Sequence, residues 1–285
     1  MPLNKACVGR QYPPIASDVT ADAIGAYARA YNEDNPAFFD ASRPGGIVAP
    51  PMFGVVVTWN SVMGAVTDSE VGADLLRLVH GEQDMRFLAP IRPGDKITSR
   101  AKIISIETRP SGETMAVELS AKNQTGAPVQ RIVFGVFIRG GGRRAALAQA
   151  RAVEVERGEP LFSAAQKIDP DQTVRYAAAS GDHNPIHVDE NIARMAGLPG
   201  IIVHGLCTMA FTSKVAIDKL CGGDPARLKR LAVRFSRPVR PGETITTKIW
   251  RDDEGEHDGR ATFVFETFNA NNQAVIKGGI AEVAV

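Results

Sequence analysis

Two long apolar segments mark the chain, and shorter runs of alternating apolar and polar residues follow each of them. The segments cover residues 52–66 and 206–220. Each is too long for an ordinary strand and is apolar on most sides, which predicts a buried helix. Gly222 and Gly223 indicate where the second helix ends.

The regions after both segments show the period-two alternation of β-strands. Strand-like runs in the second region cover residues 244–250, 261–268 and 274–283. In the first region the alternating apolar positions are Met115, Val117, Leu119 and Ala121. One buried helix followed by several antiparallel strands predicts an α+β arrangement in which a sheet wraps around a helix.

This pattern occurs twice because the sequence repeats itself at about half its length. Three pairs of segments match in the same order: residues 27–40 with 176–189, 86–95 with 234–243 and, more weakly, 46–52 with 200–206. A Gly-rich and then Ala-rich, charged stretch separates the copies and has the composition of a linker. The sequence therefore predicts two domains, residues 1–140 and 159–285, joined by a linker at 141–158 into a fused pseudo-dimer.

Charge and cysteine content narrow the possible partners. The chain has 33 Lys and Arg against 32 Asp and Glu, a formal net charge of +1, so it lacks the basic field that dominates binding to nucleic acid or anionic membranes. Its three cysteines have unrelated spacings that suit neither a disulfide framework nor a zinc cluster. We find no apolar run of signal-peptide or membrane-spanning length, which predicts a cytoplasmic protein.

The second copy carries a dense polar motif, Gly181-Asp182-His183-Asn184-Pro185-Ile186-His187, and His204-Gly205 precedes its apolar segment. With Arg237-Pro238-Val239 and Pro241-Gly242, these residues resemble the hydratase 2 signature of MaoC-like dehydratases, from about residue 171 to the end of the chain. The first copy resembles the degenerate N-terminal half of two-domain members. The resemblance implies a tandem hot-dog fold, an acyl-CoA thioester substrate, and neither a metal nor a separate cofactor.

The resemblance also implies that Asp182 and His187 are the catalytic pair. Adding water to an enoyl thioester needs a base for the water, a proton for the α carbon and a stabiliser for the enolate oxygen. We expect His187 to be the main base and Asp182 its proton partner. In the alternative, both act on a single shared water and the two roles merge.

Other residues of the second copy have candidate roles. Gly205 opens the predicted helix, where free backbone N–H groups favour a developing oxyanion. Asn184 is expected to fix the turn or to orient the carbonyl. Ser213 is expected to support the ring of the catalytic histidine, and His183 and His204 are expected to be structural or solvent-facing.

The first copy lacks both the imidazole and the helix-start glycine. Glu33, Phe38 and Pro50-Pro51 stand at the corresponding positions. It should therefore be inactive, and either completes the pseudo-dimer and widens an acyl pocket or serves packing alone. Arg234 and Arg237 are candidates for contacts to coenzyme A phosphates, although exposed arginines on a strand are commonly just solvated.

The leading hypothesis is reversible hydration of trans-2-enoyl-CoA to (3R)-3-hydroxyacyl-CoA, with the product hand taken from the resemblance. The same residues would serve a dehydratase acting on acyl carrier protein or on a branched dicarboxylic thioester of mesaconyl type. A non-catalytic acyl-CoA-binding subunit is the alternative of a different class. Thioester hydrolysis is disfavoured by the intact motif. A homodimer is expected by analogy.

Overall fold

The described residues, 2–75, 77–140 and 157–285 of this computed structural model, form ten strands and five α-helices. The predicted linker at residues 141–158 lies outside them except for its last two residues. The elements of the first half are β1 (Ile15–Asp18), α1 (Ala21–Arg29), α2 (Gly54–Val66), β2 (Leu78–Phe87), β3 (Lys96–Arg109), β4 (Gly112–Lys122) and β5 (Pro128–Arg139). Those of the second half are β6 (Phe162–Lys167), α3 (Gln172–Ser180), α4 (Glu190–Met195), α5 (Gly205–Leu220), β7 (Leu228–Phe235), β8 (Thr244–His257), β9 (Arg260–Phe268) and β10 (Ala274–Ala284).

All ten strands belong to one antiparallel sheet with the order β1-β3-β4-β5-β2-β7-β10-β9-β8-β6. Read outwards from the central β2–β7 pair, the two halves have the same strand order. In that pair Asp84 lies opposite Ala232, and these two residues correspond in the sequence repeat. The halves are thus related by a pseudo-twofold axis through this pair, as expected for a fused pseudo-dimer.

Both predicted central helices are confirmed. Helix α5 begins one residue before the predicted start, whereas α2 begins two residues later, because a 3-10 turn at Pro51–Phe53 precedes it. Each helix packs against the strands of its own half. Thr58 and Thr212 are buried polar residues of these helices, and their hydroxyls donate to carbonyls one turn earlier.

The predicted strands are also present. The four alternating apolar residues of the first half lie on β4 and are buried. Strand β8 is longer than predicted, because its charged end pairs with β9 through Glu256 and His257. The end of this strand consists mostly of charged residues, so it has no alternation of apolar and polar positions that would predict a strand.

The halves meet at buried side chains as well as along the sheet. Tyr27 of α1 and Tyr176 of α3 occupy the same position in the repeat, and their hydroxyls form a hydrogen bond of 3.1 Å. Arg230 reaches from β7 to Asp84 of β2 at 2.7 Å. Within the residues described, none of the helices combines the length and apolar character needed to cross a bilayer.

Candidate active site

The turn after helix α3 places the polar motif. Gly181 adopts φ 79°, a left-handed conformation that glycine tolerates at a helix end. Asp182 Oδ1 then accepts the N–H of Asn184 at 3.1 Å, and Asn184 Oδ1 accepts the N–H of Ile186 at 3.3 Å. Asn184 therefore caps the 3-10 turn Pro185–His187 and has an exposed side chain, so it fixes the turn as one of its two expected roles.

The ring of His187 is held by a single backbone contact. Its Nδ1 lies 2.8 Å from the carbonyl oxygen of Ile202. Because a carbonyl only accepts, Nδ1 must carry the hydrogen, and the lone pair of the neutral ring is on Nε2. The residue is only 7% exposed, so this basic nitrogen sits in a largely water-excluded place.

His204 lies directly on His187, so of its two expected places, structural or solvent-facing, the solvent-facing one is wrong. It is 1% exposed, and the two rings stack with centroids 3.7 Å apart and planes inclined by 26°. Its Nε2 lies 3.0 Å from the backbone carbonyl oxygen of Asp182 and must donate to it. One side-chain ligand atom from each of Asp182, His187 and His204 lies within 4.8 Å of the others.

Burial favours the uncharged forms of Asp182, His187 and His204. It raises the pKa of Asp182, against the opposing effect of nearby His187. It lowers the pKa of His187, against the opposing effect of Asp182. The pKa of His204 falls to about 3, mainly through burial and then through repulsion from His187. A carboxyl and an imidazole whose charged forms are both disfavoured are suited to proton transfer.

The same three residues are of the types that bind metal ions. The rings of His187 and His204 stack with their planes inclined by 26°, and each imidazole lone pair lies in its own ring plane. Each ring also uses one nitrogen on a backbone carbonyl.

Gly205 begins helix α5 beside this group. The helix has no side-chain cap, so the side chain of His204 does not occupy its first N–H groups. A Cβ at position 205 would lie 3.3 Å from the ring of Phe235, which is tight packing that a glycine avoids. At this helix start the first N–H groups have no side-chain cap, and the absence of a Cβ at Gly205 lets a neighbouring group come close to the backbone.

Comparison with known proteins gives the family. The MaoC like domain matches residues 152–272, and the FAS1-like dehydratase domain region matches residues 6–132. The 3-hydroxyacyl-thioester dehydratase Y of Mycobacterium tuberculosis is 32% identical over 213 residues, which cover 72% of each chain. The chain belongs to the MaoC-like dehydratase family.

Two further comparisons extend over nearly the whole length. A probable enoyl-CoA hydratase 2 of Dictyostelium discoideum is 27% identical over 97% of this chain and 95% of its own. A MaoC-like dehydratase from Phytophthora capsici has a crystal structure that matches with a TM-score of 0.83 and 26% identity, over 100% of this chain and 98% of that one. The resemblance predicted from the motif and the tandem hot-dog fold are both confirmed.

The first half of this MaoC-like dehydratase has the same turn with different side chains. Glu33 Oε1 accepts the N–H groups of Asp34 and Asn35 at 2.9 and 3.0 Å, and Lys214 of helix α5 reaches it at 3.1 Å. Phe38, at the position of His187, is completely buried. The acid here faces a cation of the other half and has no imidazole at the matching position.

The predicted supporting role of Ser213 is wrong. Its buried Oγ has no hydrogen-bond partner in the described residues, and Nδ1 of His187 is occupied by Ile202 instead. The next residue, Lys214, bonds Glu33, so this part of helix α5 faces the turn of the first half.

Sequence reasoning missed His204 and the tyrosine pair. A single histidine before a helix has no periodicity that distinguishes a buried ring from an exposed one. The repeat aligned Tyr27 with Tyr176, and their shared position on a pseudo-twofold axis was the signal that they meet.

Proposed function

We propose that this enzyme hydrates trans-2-enoyl-CoA reversibly to (3R)-3-hydroxyacyl-CoA, with Asp182 and His187 as the catalytic residues and with no metal or separate cofactor. The observation that carries the proposal is the buried imidazole of His187, which has its lone pair on Nε2 and has one ring nitrogen within 4.8 Å of a carboxylate oxygen of Asp182. The names of the relatives, an enoyl-CoA hydratase 2 and a 3-hydroxyacyl-thioester dehydratase, support water addition or removal on a thioester.

The chemistry follows from the protonation of the pair. Nε2 of His187 takes a proton from water while the water oxygen bonds to C3 of the substrate. The C2=C3 electron pair moves toward the thioester and forms an enolate, and protonated Asp182 delivers a proton to C2. Imidazolium and carboxylate remain, and one proton transfer between them restores the starting state. The raised pKa of Asp182 and the lowered pKa of His187 both favour that starting state.

The enolate oxygen needs donors that are already in place. The uncapped start of helix α5 supplies the backbone N–H of Gly205 together with the positive end of the helix dipole. One such donor is typically worth about 10²- to 10³-fold in turnover.

The two arginines considered for coenzyme A phosphates differ in the structure. Arg234 is exposed and paired with Glu82 at 3.0 Å. Arg237 is exposed near the same strand end, and its guanidinium lies 3.4 Å from the carbonyl oxygen of Ala274. Arg237 is the better candidate, because a phosphate would not have to displace a carboxylate.

The test is loss of the enoyl-thioester absorbance when the purified protein is added to crotonyl-CoA. We expect hydration, a product that a (3R)-specific 3-hydroxyacyl-CoA dehydrogenase oxidises, and no release of free thiol. Binding without loss of absorbance would leave only a non-catalytic acyl-CoA-binding role, and thiol release would indicate hydrolysis. Repeating the assay over chain lengths, on a mesaconyl-type thioester and on crotonyl acyl carrier protein separates the alternative substrates. A homodimer in the cytoplasm stays a prediction.

A further inference from the structure

His204 has no part in the steps above, yet it contacts both catalytic residues. Its ring covers one face of His187 at a centroid distance of 3.7 Å, and its Nε2 donates to the backbone oxygen of Asp182 at 3.0 Å. It precedes Gly205, so it also stands at the helix start that is proposed to hold the oxyanion.

Tyr176 also packs against His204. The Tyr176 ring lies 5.0 Å from that of His204, and its hydroxyl meets Tyr27 of the first half at 3.1 Å. Both tyrosines are fully buried. The order Tyr27, Tyr176, His204, His187 thus runs from the first half to the catalytic imidazole.

From these contacts we infer that His204 is a positioning residue for the proposed hydration. Stacking fixes the plane of the His187 ring, so that Nε2 points at the water. The hydrogen bond to Asp182 fixes the backbone that carries the carboxyl. Tyr176 and Tyr27 hold His204 in place and so give the first half a part in catalysis without a reacting group of its own.

The environment keeps His204 neutral, as this role requires. The ionisable side chains around it are Asp182, His187, His183 and Tyr176. A second positive charge against the stacked ring would oppose the imidazolium that forms on His187. With Nε2 donating, Nδ1 is a bare acceptor, and it is buried with no partner in the described residues.

The two contacts can be separated by substitution. Phenylalanine preserves an aromatic face for stacking but has no donor. Glutamine retains an N–H that can reach the Asp182 carbonyl but has no ring. Alanine loses both. The first half has Pro50 at this position, which has neither a ring face of this kind nor a donor.

The experiment measures kcat and KM on crotonyl-CoA for His204→Ala, His204→Phe and His204→Gln. His183→Ala is the matched control, because it removes an exposed imidazole from the same motif. We expect His204→Ala to lower kcat about 10²-fold, as misplacement of a reacting group does. KM should stay within roughly threefold, since the loss falls on the transition state. The Phe and Gln variants should each recover part of kcat, and His183→Ala should match the unmodified protein.

A second readout does not depend on turnover. The ¹⁵N shifts of the His187 ring report its tautomer and its pKa, and in His204→Ala we expect the pKa to rise toward its ordinary value as water reaches the ring. This readout stays valid if the protein does not hydrate crotonyl-CoA, so failure of the proposed function is distinguishable. If His204→Ala is too unstable to study, the Phe and Gln variants supply the same measurements.

Three results would overturn the inference. One is a folded His204→Ala variant with unchanged kcat and an unchanged His187 spectrum. Another is recovery by neither Phe nor Gln, which would reduce His204 to a filler of volume. The last is a change in KM alone, which would place His204 in substrate binding.

Discussion

The two halves build the same turn and put different chemistry on it. Asn35 and Asn184 both cap a 3-10 turn through their side-chain oxygens. In the first half, however, the acid Glu33 is bound by Lys214 from the opposite helix. In the second, Asp182 belongs to a buried cluster with His187. A duplicated backbone thus preserves the place for an acid, while the neighbouring side chains decide whether that acid holds the halves together or can move a proton.

The starts of the two central helices differ in the same sense. Both helices begin at a glycine, Gly54 and Gly205, and neither has a side-chain cap, so the expectation that the first copy lacks a helix-start glycine is wrong. In the first half the side chain of Gln130 packs on Gly54 and leaves no room for a Cβ there, whereas a Cβ at Gly205 would lie 3.3 Å from the ring of Phe235. The second helix start is therefore less tightly filled by protein than the first.

The largest expected difference between the halves is in the loss of activity when His187 or Phe38, which occupy matching positions of the repeat, is replaced by alanine. His187→Ala should lower hydration about 10²- to 10⁴-fold, because it removes the base. Phe38→Ala should leave kcat of the folded protein near its starting value and cost about 3–5 kcal/mol of unfolding free energy, since it empties a buried site. Hydration rates and urea unfolding of both variants check this. Loss of kcat in folded Phe38→Ala would break the comparison.

The next effect concerns Gly205 at the start of helix α5. Gly205→Pro should lower kcat about 10²- to 10³-fold, because proline removes the donor N–H. Gly205→Ala is the control that retains the N–H, and its smaller loss should reflect only a shift of the Phe235 ring away from the new Cβ. A folded Gly205→Pro variant with normal turnover, measured on crotonyl-CoA, would show that Gly205 is not the donor.

The pH dependence is expected to show the burial of the pair. His187 must be neutral to act as a base, and burial lowers its pKa below the ordinary value of 6.5, so on the acid side activity should fall only below that pH, as the ring gains a proton. The proposed starting state has a protonated, neutral Asp182, so Asp182→Asn should leave the His187 midpoint nearly unchanged. A marked downward move would show that an ionised carboxylate lies beside the ring. Titration by ¹⁵N NMR measures both midpoints. An upward move in Asp182→Asn would contradict the electrostatic account.

The smallest effect tests the link between the halves. Tyr27→Phe removes one hydroxyl from the buried Tyr27–Tyr176 contact and leaves the rings in place. A lost hydrogen bond of this kind costs about 1 kcal/mol, so we expect at most a several-fold fall in kcat with KM unchanged. The kinetics of this variant beside the unmodified protein provide the measurement. A larger change in KM than in kcat would argue against an effect on positioning.

The sequence predicted the elements that carry long apolar runs or a clear period-two alternation. The central helices and the strands β4, β9 and β10 were readable because long apolar runs and period-two alternation reflect burial directly. Helix α4 was not predicted, since six residues with only two apolar positions of any size, Ile192 and Met195, carry little periodic signal. The joining of β2 to β7 into one sheet was also not readable, because strand pairing between distant segments leaves no local pattern.

The sequence predicted that Asp182 and His187 lie close together, because both belong to the motif at residues 181–187. Asp182 and His187 are five residues apart across a proline turn, so local geometry brings them together. Ser213 was misplaced because its distance from Gly205 along the helix does not fix whether its hydroxyl reaches the His187 ring. His204 was missed because its role depends on stacking between segments that are apart in the sequence.

The measurement that tests the central claim most directly compares hydration of crotonyl-CoA by Asp182→Asn and Glu33→Gln, each checked for folding by circular dichroism. Both substitutions replace an acid with its amide at matching positions of the repeat. The account predicts a loss of about 10²- to 10⁴-fold for Asp182→Asn and nearly unchanged turnover for Glu33→Gln. Loss of activity in folded Glu33→Gln together with normal activity in Asp182→Asn would contradict both the assigned site and the inactive first half.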